Sequence, residues 1–155
     1  MHPRRLATYL NDRLALLTAG VELAGRAVAS NGGTAYGPLL ERIAADFEED
    51  RALLTTLMAA HAVKPDRLKR GVAWMGEKLG RLKFNDQLTG YSPLSRVVEL
   101  DGLTAIVSVL RGSWAALEEV LPGDPEALIA AQKRARRNLD QLDSLRPDAV
   151  REAVG

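Results

Sequence analysis

The sequence predicts one all-α domain, an antiparallel bundle of four or five long helices. Apolar residues recur at alternating steps of three and four over long stretches, which is typical of one buried helix face. Prolines and glycines separate these stretches and stand where helices begin or end. No strand-like alternation and no internal repeat interrupts this pattern along the 155 residues. We therefore expect a single domain that spans residues 1–155.

The composition narrows the functional classes. The chain has no cysteine, which excludes disulfides and thiolate metal ligands, and its two histidines exclude a histidine-rich metal site. A net charge of +1 requires neither nucleic acid nor an anionic membrane as a partner. The most apolar stretch, Leu103 to Leu110, is too short to span a bilayer. No signal-peptide core follows Arg4 and Arg5, so we expect a cytoplasmic protein.

The first predicted helix runs from about residue 5 to residue 30. It ends at Asn31-Gly32-Gly33-Thr34, because glycine accepts the left-handed conformation of a helix C-cap. Its apolar stripe comprises Leu10, Leu14, Leu17, Val21, Ala24 and Val28. The second helix begins at Gly37-Pro38, since a proline at the first helical position lacks an N–H that would be unpaired there. Its stripe comprises Leu40, Ile43, Phe47, Asp50, Leu54, Leu57 and His61.

A third helix is predicted from Lys64-Pro65, followed by a loop over residues 84–92. Ser92 then caps a fourth helix that has Pro93 at its first position. The main stripe of this helix comprises Leu100, Leu103, Val107, Leu110, Trp114, Leu117 and Leu121. A second line of small or polar residues comprises Asp101, Ala105, Ser108 and Gly112. Because charges are sparse along this helix, we expect it to contact neighbours on two sides.

The fifth helix is predicted to begin at Asp124-Pro125-Glu126, with the aspartate as its cap, and to stop at Pro147, after which Asp148 to Val154 can add a final turn or two. Its inward residues are Leu128, Ala131, Ala135, Leu142 and Leu145. The run Lys133-Arg134-Ala135-Arg136-Arg137 is basic, but a nucleic-acid interface would need a broader positive face and aromatic residues. We expect this run to be a solvated helix face that pairs with the acidic run from Asp46 to Asp50.

Five carboxylates near the apolar stripes are the candidate metal ligands. They are Glu22, Glu49, Asp50, Glu77 and Glu99. A buried carboxylate must be paired, protonated or bound to a cation. Carboxylates that project from several helices are how bundle proteins hold iron or manganese. We favour the other interpretation, in which they pair with arginines; the candidates are Arg13, Arg26, Arg51, Arg96 and Arg111. His61 lies about three turns from Asp50, too far to share an ion.

Two aromatic residues are the candidates for contact with a partner. Tyr91 lies in the loop just before the fourth helix, and Trp114 lies on that helix. The alternative is a structural role, in which each ring packs inside the protein and the tyrosine hydroxyl lies in water. No serine, histidine and aspartate set and no glycine-rich phosphate loop is found, because Ser92 and Ser95 are explained as helix caps.

Three runs resemble uncharacterised bacterial members of the ferritin-like group: YLNDRLALLTAGVELAGR, YGPLLERIAADFEEDRALL and GYSPLSRVVELDGL. The resemblance implies a bundle with a long crossover and a metal site to which Glu22 and Glu49 would contribute. The residue three positions after Glu49 is an alanine, and the residues three positions after Glu77 and Glu99 are glycines. The sequence therefore contains no Glu-x-x-His pair. A standard di-metal centre is therefore not expected. Short links would instead favour an up-and-down bundle, so both connectivities stay open.

The sequence thus predicts a non-catalytic helical-bundle protein that acts through self-association or protein partner binding, with a homodimer favoured. It predicts neither a membrane nor a nucleic acid as partner and assigns no enzyme activity. The alternative is a ferritin-like metal-binding protein with a carboxylate-only site. Such a site would combine Glu22, Glu49 or Asp50, Glu77 and Glu99, and its cofactor would be Mn, Mg or Ca rather than Zn.

Overall fold

The computed structural model describes residues 2–66, 90–121 and 125–155. Within them the chain forms four helices, α1 (Pro3–Asn31), α2 (Gly37–Ala60), α3 (Pro93–Val120) and α4 (Pro125–Val154), and no strand. The all-α prediction is confirmed. The predicted start of a third helix at Lys64-Pro65 falls in an irregular segment that follows α2. The rest of that prediction, and the predicted cap at Asp124, lie outside the described residues.

The link between α1 and α2 is a tight turn built by backbone hydrogen bonds. Gly32 has a φ of −54° and a ψ of −33°, so the predicted left-handed cap is wrong. The turn closes instead through bonds from the Thr34 N–H to the Asn31 carbonyl and from the Gly37 N–H to the Thr34 carbonyl. A Cβ at Gly37 would lie 2.6 Å from the Gly32 carbonyl oxygen, so only glycine fits at the start of α2.

The start of α3 and the end of α4 compare differently with the sequence prediction. Ser92 caps α3 as predicted, because its Oγ accepts a bond from the Ser95 N–H at 3.2 Å. The predicted stop at Pro147 is wrong, since α4 continues through it to Val154. Proline costs the helix one hydrogen bond. Two contacts of the final turns offset that loss: Ala149 is fully buried, and Glu152 pairs with Arg96 of α3.

The four helices form a ring in which α1 packs against α2 and α3, and α4 packs against the same two helices. Their directions follow from contacts near the ends. Arg96 at the start of α3 bonds to Asn31 at the end of α1 and to Glu152 at the end of α4. Tyr36, just before α2, bonds to the same Glu152. Thus α1 and α4 end where α2 and α3 begin, and every neighbouring pair is antiparallel.

The described helices α2 and α3 are parallel, and the segment that joins them, residues 67–89, lies outside the described residues. The chain leaves α2 at the end of the bundle opposite the one where it enters α3. A single long crossover and an up-and-down bundle with the predicted third helix in this segment both give parallel α2 and α3, so both connectivities stay open. A relationship to the ferritin-like group also stays a prediction.

The core lies inside the ring, and the predicted stripes of all four helices face it. Trp114 and Phe47 are its largest fully buried side chains. Within the chain α3 packs against α1 and α4, while its second line of small or polar residues is exposed. That line comprises Asp101, Ala105, Ser108 and Gly112. None of the four described helices has the length and apolar character needed to cross a bilayer.

Candidate functional site

Two buried aspartates on α2 meet the basic run of α4. Asp46 and Asp50 stand one helical turn apart and are only 7% and 3% exposed. Arg134 Nη2 donates to Asp50 Oδ1 at 2.6 Å. Arg137 Nη2 and Asn138 Nδ2 both donate to Asp46 Oδ2, at 2.5 and 2.7 Å. The predicted pairing of the basic run with the acidic run is therefore confirmed.

Asp50 also connects α2 to α3. The indole N–H of Trp114 donates to Asp50 Oδ2 at 3.4 Å. Burial raises the pKa of the Asp50 carboxyl above its usual value and outweighs the nearby Arg134 guanidinium, which lowers it. Glu49 reaches the same guanidinium at 3.2 Å from an exposed position. Arg134, which the sequence analysis named in the basic run but not among the five candidate arginine partners of the carboxylates, is thus the shared partner of both acids.

A second polar cluster joins the end of α1 to the start of α3. Asn31 is buried, and its Nδ2 donates to the Tyr91 hydroxyl oxygen at 2.6 Å. Its Oδ1 accepts a bond from Arg96 Nε at 2.7 Å. The Tyr91 hydroxyl in turn donates to Glu99 Oε2 at 2.7 Å. From the sequence, Asn31 was assigned only to a turn. Its side-chain partners lie about sixty residues away, so no local sequence pattern could predict these hydrogen bonds.

The same cluster extends to α2 and α4. The Arg96 guanidinium stacks over the Tyr36 ring at 4.6 Å and pairs with Glu152. Burial raises the pKa of Glu99, and it raises the pKa of Tyr91 to about 12. A hydroxyl with that pKa keeps its proton at neutral pH, so Tyr91 serves as a hydrogen-bond donor here rather than as a base.

The four predicted metal ligands that the structure describes do not come together as a ligand group. Glu22 is exposed on α1, Glu49 and Asp50 contact Arg134, and Glu99 accepts the bond from Tyr91. Glu77 lies outside the described residues. Across residues 2–66, 90–121 and 125–155, no set of three metal-binding side chains converges.

The two predicted partner-binding aromatics are placed differently. Tyr91 is 39% exposed, while its hydroxyl is held in the cluster. Trp114 is fully buried in the core against Asp50. Its indole cannot touch a partner unless the core opens, so the partner-binding assignment does not fit Trp114. The large apolar ring is better satisfied inside the bundle than at its surface.

The third feature is an exposed apolar surface along α3. Among the described residues, six large hydrophobic side chains are exposed. Four of them, Tyr91, Leu94, Val109 and Val120, lie on α3 or just before it, and Val120 reaches 58% exposure. Leu94, Val109 and Val120 lie on the helix outside its buried stripe. Exposed apolar side chains are thus concentrated on one helix.

Small residues fill the spaces between these exposed side chains. A Cβ added at Gly112 would meet nothing within 4 Å, and Ala105 and Ala116 are also turned outward. Asp101 lies on the exposed side of α3, and its Oδ1 lies 2.9 Å from Arg146 Nε of α4. We call this surface the outer face of α3. It comprises Leu94, Val98, Ala105, Val109, Gly112, Ala116 and Val120.

Comparison with protein-family models, with curated proteins and with solved structures finds no match. Function is therefore inferred from the geometry of this chain. The two polar clusters connect the helices to one another through their own charges. The outer face of α3 is the described feature that offers unburied apolar surface to another molecule.

Proposed function

We propose that this chain is a non-catalytic helical-bundle protein that acts by associating with a second copy of itself through the outer face of α3. The observation that carries the proposal is the concentration of exposed apolar side chains on that face. Contiguous exposed apolar surface typically marks a site of protein association. Covering it contributes about 25 cal/mol for each Å² removed from water.

The polar clusters support the non-catalytic part of the proposal. Asp46 and Asp50 are buried against arginine and asparagine donors, which matches a role in holding α2 to α4. Tyr91 and Glu99 are likewise bonded to each other. Groups bonded in this way stabilise one arrangement of the helices.

The proposal is tested by measuring mass in solution. We expect light scattering to give about twice the chain mass of 16.8 kDa. Val109→Asp places a carboxylate in the middle of the outer face and should raise the dissociation constant at least ~100-fold, because the charge would lose its water on association. Its helix content should be unchanged, since the side chain is exposed.

Val154→Asp is the matched control. Val154 is 78% exposed at the end of α4 and is not one of the outer-face residues, so this variant should remain a dimer. A wild-type protein that stays monomeric at every concentration would overturn the proposal. So would a Val109→Asp variant that dimerises as tightly as Val154→Asp.

A further inference from the structure

Asn31 is followed by glycine, and it is the one asparagine of the chain that is. Such a pair is prone to deamidation, because glycine has no Cβ to hinder attack on the asparagine side chain. The glycine nitrogen attacks Cγ and gives up its proton to water, and the amide nitrogen takes up a proton and leaves as ammonia. Water then opens the cyclic imide at either carbonyl, which gives aspartate or isoaspartate.

We propose that Asn31-Gly32 is a deamidation site that the polar cluster between α1 and α3 keeps closed. Deamidation at this site then marks, irreversibly, those molecules in which the cluster has opened. The residues that hold Asn31 do not belong to the outer face of α3, so the site does not depend on the proposed self-association.

The backbone around Asn31 holds the attacking nitrogen away from Cγ. Asn31 is the last residue of α1, and Gly32 keeps helical dihedrals, with a φ of −54° and a ψ of −33°. The imide ring closes only when the Gly32 nitrogen turns toward Cβ, which requires rotation about the Cα–C bond of Asn31 out of the helical range. Thr34 opposes that rotation, because its N–H and its hydroxyl both donate to the Asn31 carbonyl, at 2.9 and 2.8 Å.

The side chain of Asn31 is held at both of its polar atoms, and it is only 1% exposed. Nδ2 donates to the Ala27 carbonyl at 2.9 Å and to the Tyr91 hydroxyl at 2.6 Å. Oδ1 accepts a bond from Arg96 Nε at 2.7 Å. The guanidinium stabilises negative charge on Oδ1, which by itself favours attack at Cγ. The protection is therefore geometric, and it lasts only while the cluster stays closed.

Deamidation would prevent the cluster from closing again. An aspartate at position 31 has no side-chain N–H, so it can donate neither to the Ala27 carbonyl nor to the Tyr91 hydroxyl. Its carboxylate would compete with Glu99 for the single proton of that hydroxyl, at a position where a charge loses its water. Isoaspartate would also add Cβ to the main chain within the tight turn between α1 and α2.

Peptide mapping by mass spectrometry near neutral pH measures the reaction at each asparagine. In concentrated urea we expect Asn31 to react faster than the other asparagines. In the native protein we expect its rate to be at least ~100-fold lower, since reaction then requires local opening of the bundle end. Tyr91→Phe removes the hydroxyl from the cluster and should raise the native rate about 10-fold, the effect of losing one hydrogen bond to a charged group.

Tyr9→Phe is the matched control, because Tyr9 lies roughly 33 Å along α1 from Asn31. This variant should react at Asn31 as slowly as the wild type. Equal rates in the native protein and in urea would overturn the protection by the fold. Equal native rates in Tyr91→Phe and Tyr9→Phe would overturn the role of the cluster, and faster reaction of another asparagine in urea would overturn the choice of site.

Asn31→Asp tests whether the modification keeps the cluster open. We expect hydrogen exchange in the first turn of α3, followed by mass spectrometry, to be at least ~10-fold faster than in the wild type. Asn138→Asp provides the comparison, because Asn138 is also buried but belongs to the other polar cluster. Exchange in this turn that is unchanged by Asn31→Asp would show that deamidation does not hold the cluster open.

Discussion

Asp50 shows how one residue can occupy a core position and still be charged. It interrupts the apolar stripe of α2, where a lone carboxylate would be very unfavourable. Arg134 and Trp114 supply the donors that make the position tolerable. Burial nevertheless raises its pKa, so desolvation is the larger of the two electrostatic effects.

Replacing Asp50 should be far more costly than replacing its neighbour. Asp50→Ala leaves the Arg134 guanidinium, 18% exposed, without its buried acceptor, and we expect a loss of about 3 kcal/mol in the free energy of unfolding. Glu49→Ala removes the exposed contact to the same guanidinium and should cost below about 1 kcal/mol. Urea denaturation of both variants measures the difference. Equal losses would mean that Asp50 is no more important than a surface ion pair.

At the scale of elements, α1 contains two glycines with opposite surroundings. A Cβ at Gly20 would lie 3.0 Å from Phe47 Cε2 and 3.3 Å from Ile106 Cγ2, so this glycine lets α2 and α3 approach α1 closely. A Cβ at Gly25 would meet nothing within 4 Å. Helix propensity is equally poor at both positions, but only Gly20 has a packing reason to be glycine.

Alanine at these two positions should shift stability in opposite directions. Gly25→Ala should stabilise the protein by about 0.5–1 kcal/mol through helix propensity alone. Gly20→Ala should destabilise it by about 1–2 kcal/mol, because Phe47 and Ile106 must move to admit the methyl group. Thermal melts followed by circular dichroism compare the two. A stabilised Gly20→Ala variant would show that the core at Phe47 yields more easily than the distances indicate.

At the scale of the whole molecule, two polar clusters connect the four helices. Arg134 of α4 holds Asp50 of α2, while Arg96 of α3 holds Asn31 of α1 and Glu152 of α4. The described helices α2 and α3 are parallel, and the Arg96 contacts hold the start of α3 beside the ends of α1 and α4. The stability of the fold should therefore depend on the protonation of the clusters.

The raised pKa values of Asp50 and Glu99 predict the sign of that pH dependence. Their unfolded pKa values are about 4, so above that pH the unfolded chain loses these protons before the folded chain does. Their contribution to the free energy of unfolding is fully present below about pH 4 and falls as pH rises through the folded pKa values.

A paired variant isolates this contribution. Asp50→Asn with Glu99→Gln cannot titrate at these positions. We expect the free energy of unfolding of the wild type, minus that of the double variant, to decrease between pH 3.5 and pH 7. Urea denaturation across that range measures the difference. A difference that is constant, or that increases with pH, would show that ion pairing rather than burial controls both carboxyls.

Much of the fold could be predicted from the sequence because its signals are local. Pro38 and Pro93 mark helix starts through their missing N–H groups, and Ser92 caps through a neighbour three residues away. Apolar periodicity identified the buried stripes because a helix repeats its faces every few residues. The pairing of the basic run with the acidic run was also predictable, since both lie at the middle of their helices.

The tertiary structure decided what depends on residues far apart in the chain. Arg134 lies 84 positions from Asp50, and Arg96 lies 65 from Asn31, so neither pair could be chosen by spacing. The passage of α4 through Pro147 depends on Glu152 meeting α3, and the burial of Trp114 depends on α2. The exposure of the outer face of α3 follows from which helices pack beside it. Thus sequence determined the helices and their inner faces, while packing determined their directions, their charge partners and the surface left open.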